Sequence, residues 1–157
     1  MTEKHNIYIS HATLFVFDSF GKLPANAWTS AHWEQLFARR PSSMNIVALV
    51  EEDGFIVEVD RSSSSLMNCE RVVGFSLLSE SGRIVLDGGE SGTGVTVWEG
   101  RPGWVRVTVG QALLRKEEPQ WMRVVVVAEE AVREELTTVR EKGTLKTGPF
   151  LEIADPA

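Results

Sequence analysis

The sequence predicts an all-β fold: β-sandwich-like antiparallel sheets, one short helix after the first strand and a candidate helix near the C-terminus. Three observations carry this. About eight runs rich in β-branched and aromatic residues follow one another at short spacing. Clusters of Gly, Pro, Ser and Asp separate them. Only two stretches repeat apolar residues at helical intervals. Short strands at close intervals favour a sandwich or barrel over a parallel α/β sheet.

The first run, "NIYISHATLFVF" (6–17), places Ile7, Ile9, Thr13, Phe15 and Phe17 on one parity, so a continuous strand would turn them to one face. "TSAHWEQLFARR" follows as the short helix, with Thr29 or Ser30 as N-cap and Pro41 ending it. Trp33, Leu36 and Phe37 form its apolar stripe. Phe37 is then core and its truncation should cost about 3–5 kcal/mol, whereas changes at His32 or Arg39 should cost far less. "MNIVALV" (44–50) and "FIVEVD" (55–60) flank "EEDG", and Asp53-Gly54 predicts a hairpin between them. "RSSSSLMN" (61–68) is a polar loop. "ERVVGFSLL" (70–78) and "GRIVLDG" (82–88) are strands, and "GGESGTG" (88–94) is a flexible hairpin connection. "VTVW" (95–98), "WVRVTVG" (104–110) and "WMRVVVVAEE" (121–130) complete the strands. In "EEAVREELTTVREKG" (129–143), Val132, Leu136 and Val139 recur at helical spacing, and Gly143 suits a C-cap. The rest is an edge strand or a loose tail. One domain is expected over 1–157, with a core at about 6–128 and a helix and tail at 129–157.

A chain of 157 residues can bury a core without staples. Its single cysteine, Cys69, excludes an internal disulfide and a cysteine-rich zinc site. The first ten residues lack the apolar centre of a signal peptide, and runs such as "VVVVA" are too short to span a membrane. A cytoplasmic location is expected. The net charge of −6 is uneven: residues 51–100 carry ten acids and three bases, whereas 101–116 carry four bases and no acid. Excess acid disfavours nucleic acid and suits a basic partner.

No catalytic motif emerges. His5, His11 and His32 have no local nucleophile or acid partner. The glycine loop lacks the last glycine of a nucleophile elbow, and Val95 stands where a phosphate loop has lysine. Glu51, Glu52 and Asp53 lack calcium-loop spacing. Cys69 beside Glu70 makes a poor nucleophile. No catalytic residue, metal or cofactor is expected. Trp104 with Arg106, and Trp121 with Arg123, share a parity opposite apolar neighbours. Such a pairing is either an interaction hot spot or an ordinary face covered by the C-terminal segment.

The order of features resembles the competence protein J family, small cytosolic inhibitors of a DNA-entry nuclease. The residues concerned are "ISHATLFVF", the Trp28-Thr29 pair, "LFARRPSSMNIV", "RVVGFSLL" leading to "GGESGTGVTVW", and "GWVRVTVG" followed by "WMRVVVVAEE". The resemblance spans about residues 7–130. It implies a non-enzymatic inhibitor or immunity-type protein that masks a basic site on a nuclease. Glu58, Asp60, Asp87 and Glu90 would stand in for DNA phosphates, with Trp104 and Arg106 beside them. The alternative expectation is a ligand-binding β-sandwich that stacks a sugar or other flat ligand on Trp98, Trp104 and Trp121.

Overall fold

A computed structural model describes residues 5–9, 11–21, 26–50, 55–60, 63–89, 94–113, 121–146 and 150–156, with the backbone only for 5, 6, 55–60 and 121. In chain order the strands are β1 (His5–Ile9), β2 (Thr13–Asp18), β3 (Phe37–Arg40), β4 (Ser43–Val47), β5 (Phe55–Asp60) and β6 (Arg71–Ser79). They continue as β7 (Arg83–Asp87), β8 (Val95–Glu99), β9 (Gly103–Leu113), β10 (Trp121–Glu130), β11 (Thr138–Glu141) and β12 (Thr144–Lys146). Helix α1 (Ser30–Gln35) precedes β3, and a 3₁₀ turn (Ser63–Asn68) precedes β6. Two sheets stack as a β-sandwich: a seven-stranded one ordered β1-β5-β10-β9-β6-β11-β12 and a five-stranded one ordered β3-β4-β2-β7-β8. Pairings are antiparallel except β5 with β10, which is parallel.

The core forms where the inward faces meet. Val105, Val107 and Val109 of β9, Val73, Phe75 and Leu77 of β6, and Met122, Val124 and Val126 of β10 line one layer. Leu14 and Val16 of β2, Met44 and Ile46 of β4, and Ile84 and Leu86 of β7 line the other. The inward residues of these six strands fall at every second position, which is what makes this possible.

The first apolar run is two strands rather than one. His11 and Ala12 both adopt left-handed backbone, at φ 59° and 51°, and the chain passes there from the larger sheet to the smaller. The pleat is reset at this corner. Ile7 and Ile9 reach the core before it, and Leu14 and Val16 after it, whereas Phe15 is half-buried. The expected hairpin at Asp53-Gly54 is also absent as a strand pair, because β4 and β5 belong to different sheets. Residues 51–54 themselves lie outside the described residues. The hairpin across the glycine loop does form, as β7 pairs with β8.

The short helix is half the expected length. Thr29 caps it, and Leu36 closes it in the left-handed region at φ 77°, so Phe37 begins a strand. Its buried side chains are therefore His32 and Gln35, three apart, while Trp33 is half exposed and stacks on Trp28 at 4.7 Å. His32 joins the cap: its Nδ1 accepts from the Thr29 N–H at 2.9 Å. Gln35 clamps the C-terminal segment, donating to Leu151 O and accepting from the Leu151 N–H. Residues 28–49 thus supply α1 and two paired strands of the smaller sheet.

No helix forms over 129–143. The chain leaves β10 and must reach β11 on the far side of β9 and β6, three strand spacings or about 14 Å away. Seven helical residues would rise only about 10 Å, so 131–137 run without helix. The apolar residues expected to bury a stripe do not: Val132 is 99% exposed and Leu136 77%. Val139 is buried as a strand residue instead.

Candidate functional site

The crossing segment 131–137 makes a strap over the outer face of the larger sheet. Ala131 N–H donates to Trp104 O at 2.9 Å, and Glu135 N–H donates to Ser76 Oγ at 2.8 Å. Arg106, which stands across from Ser76 on β6 and Glu129 on β10, lies under the strap. It donates to Leu136 O at 3.0 Å and Thr138 Oγ1 at 3.4 Å, and its Nε is 3.8 Å from Glu135 Oε2. Burial lowers the Arg106 pKa, and Glu135 offsets part of that.

A second arginine anchors the strap's far end. Arg39, on the inward face of β3, is only 1% exposed. Its Nε donates to Ser76 O at 3.0 Å and its Nη2 to Glu134 Oε1 at 3.0 Å, with Glu152 Oε2 at 3.7 Å from Nη1. Glu152 in turn accepts from Thr137 Oγ1 at 2.7 Å. Residues 150–156 therefore pack onto β3 and the strap together: Ala154 N–H donates to Arg39 O, and the Phe150 ring meets Phe37 at 5.4 Å. Arg39 and His32 are each only 1% exposed, as fully enclosed as the core aromatic Phe37.

Where the strap leaves β10, a cleft of about 440 Å³ opens. Trp104 forms one wall, with Pro102, Ala131 and Val132 beside it. Arg101 and Glu130 supply the charged groups, and their Nη2 and Oε2 atoms are 3.5 Å apart. The end of β10 presents Glu129 and Glu130 to solvent, and the strap presents Glu134 and Glu135, all within seven residues. An aromatic wall and a carboxylate in an open, half-polar cleft can hold a cation or a flat group. Among the described residues no three His, Cys, Asp or Glu side chains converge as metal ligands. No helix among them is long and apolar enough to cross a membrane.

The residues singled out in the sequence are scattered. Trp104 and Arg106 are neighbours on the outer face of β9, the first at the cleft and the second beneath the strap. Glu58 and Asp60 lie on β5, in register with Arg123 and Val125 of β10. Glu90 lies outside the described residues. Asp87 is 4% exposed and accepts from the Gly89 N–H at 2.7 Å, so it shapes the loop instead of facing solvent. Trp98 is on the core side, because a bulge between β7 and β8 sets it opposite Ile84. That removes it from an outer stacking platform. Sequence reasoning missed Glu129, Glu130, Glu134, Glu135 and Arg39. The dense acids of "EEAVREE" were the available signal, obscured by a helical pattern in the same letters.

No family model matches the sequence, and no curated protein matches it. A solved structure shares the fold: ComJ from Bacillus subtilis, described as an inhibitor of the DNA-degrading activity of NucA. The superposition has a TM-score of 0.59 and covers 82% of this chain and 99% of ComJ, at 15% sequence identity.

Proposed function

We propose that this chain is a non-enzymatic inhibitor that masks a basic surface of a protein partner, and that the partner is a nuclease. The observation that carries this is the shared fold with ComJ over 82% of the chain. The physical support is the cleft, where the exposed Glu130 carboxylate faces the half-buried Trp104, with Glu129 exposed at the end of β10 and Glu134 and Glu135 exposed on the strap. Carboxylates compete with DNA phosphates for the same Lys and Arg side chains, and an aromatic anchor adds contact area. Glu58, Asp60 and Glu90 are proposed as further acidic contacts to the partner, and Arg106 serves the surface by holding the strap. The proposed setting is the cytoplasm, with no nucleic acid bound directly.

The test is DNA degradation by NucA titrated with the purified protein, together with capture from a lysate of the source cells. Inhibition that weakens as salt rises, or a nuclease identified by mass on the bait, supports the proposal. Undiminished degradation and no captured nuclease overturn it, as does an affinity indifferent to ionic strength.

A further inference from the structure

Resting on this masking role, we propose that the Trp104 cleft seats one arginine side chain of the partner protein. The cleft already holds a guanidinium loosely. Arg101 reaches Glu130 at 3.5 Å, yet its side chain is 88% exposed. Such an exposed pair is weak, so an incoming guanidinium can displace Arg101 at little cost. The Trp104 wall favours a planar cation over a compact ammonium, because a guanidinium stacks while it hydrogen-bonds a carboxylate in its own plane. Val132 stands fully exposed on the lip, where it can cover the methylene stem of an inserted side chain. Glu134 and Glu135 are paired with Arg39 and Arg106 on the strap, so Glu130, in the cleft itself, is the carboxylate that draws in a positive group.

The test uses the full chain labelled with ¹⁵N, following the Trp104 indole N–H, which Trp104→Phe identifies. Acetyl-Gly-Arg-Gly-amide is titrated against the same peptide carrying lysine or citrulline. A saturable shift with arginine, weaker with lysine and absent with citrulline, is expected. Glu130→Gln should weaken binding about two- to fivefold, and Arg101→Ala should tighten it by a similar factor. An equal response to citrulline or lysine, or no effect of Glu130→Gln, overturns the assignment. Inhibition of NucA left intact by Trp104→Ala would overturn the cleft while leaving the masking role standing. An arginine-specific shift without any nuclease inhibited or captured would overturn the masking role alone.

Discussion

Replacing Arg39 by alanine is expected to destabilise the protein by about 3–5 kcal/mol, as much as truncating a core aromatic. The side chain is 1% exposed, so its stem counts as buried apolar volume. Removing two methylenes beyond Cβ costs about 1.6 kcal/mol. Ser76 O loses its buried donor, which costs about 1–3 kcal/mol. The pairs to Glu134 and Glu152 add at most about 1 kcal/mol, because both carboxylates reach water once the guanidinium is gone. Arg39→Met restores the methylenes and should recover the packing part, leaving a loss of about 2–3 kcal/mol. Urea unfolding reads this directly. With a slope of about 2 kcal/mol per molar, the alanine variant's midpoint falls by about 1.5–2.5 M. A loss below about 1 kcal/mol for alanine, or equal losses for methionine and alanine, would refute the reasoning.

Three further outcomes follow from the same packing. At Gly110 an added Cβ would sit 2.6 Å from Cys69 Sγ and 2.9 Å from Leu66 Cδ2, so Gly110→Ala should cost about 1–3 kcal/mol, and Cys69→Ala in the same chain should recover only part of it in urea unfolding. Val132→Asp and Leu136→Asp should each change stability by less than about 0.5 kcal/mol, since both residues face solvent; a larger loss would mean that they pack as a helical stripe. Burial pushes the Asp18 carboxyl up, but bonds from the Ser81 and Ser79 hydroxyls and from backbone N–H groups outweigh it and hold its pKa below the ordinary value. Burial likewise opposes the lowering at Glu141, which the Arg71 guanidinium produces. Both contribute stability that is complete above the unfolded value near about 4 and is lost as pH falls through the folded value. The urea midpoint should therefore drop below about pH 4, and Asp18→Asn should flatten that limb.

The layers of the sandwich were legible because alternation is local. In β9 the parity of Val105, Val107 and Val109 against Trp104, Arg106 and Thr108 is visible in six letters, and the structure buries the first set in the core. What was not legible depends on partners distant in sequence. The corner at His11 and Ala12 contains no glycine, so nothing in the letters marks a switch of sheet. Arg39 reads as the end of a surface helix until Ser76, Glu134 and Glu152 come to meet it from 37, 95 and 113 positions away. Asp87 reads as surface acid until Gly89 folds back on it.

The strap shows why the candidate site was the hardest part to read. Residues 129–143 satisfy helical spacing as well as any segment of the chain. Spacing, however, stabilises a helix only when its apolar stripe has somewhere to be buried. Here the strap crosses Ser76 and Arg106, a hydroxyl and a guanidinium, on the outer face of the larger sheet. Those groups are better satisfied by backbone: the Glu135 N–H for one and the Leu136 carbonyl for the other. A helix would have kept Glu135 N–H and Leu136 O for itself. Ser76 and Arg106 thus select a non-helical crossing, and the same crossing leaves Val132 exposed beside Trp104. The residues that break the local pattern are the ones that build the cleft.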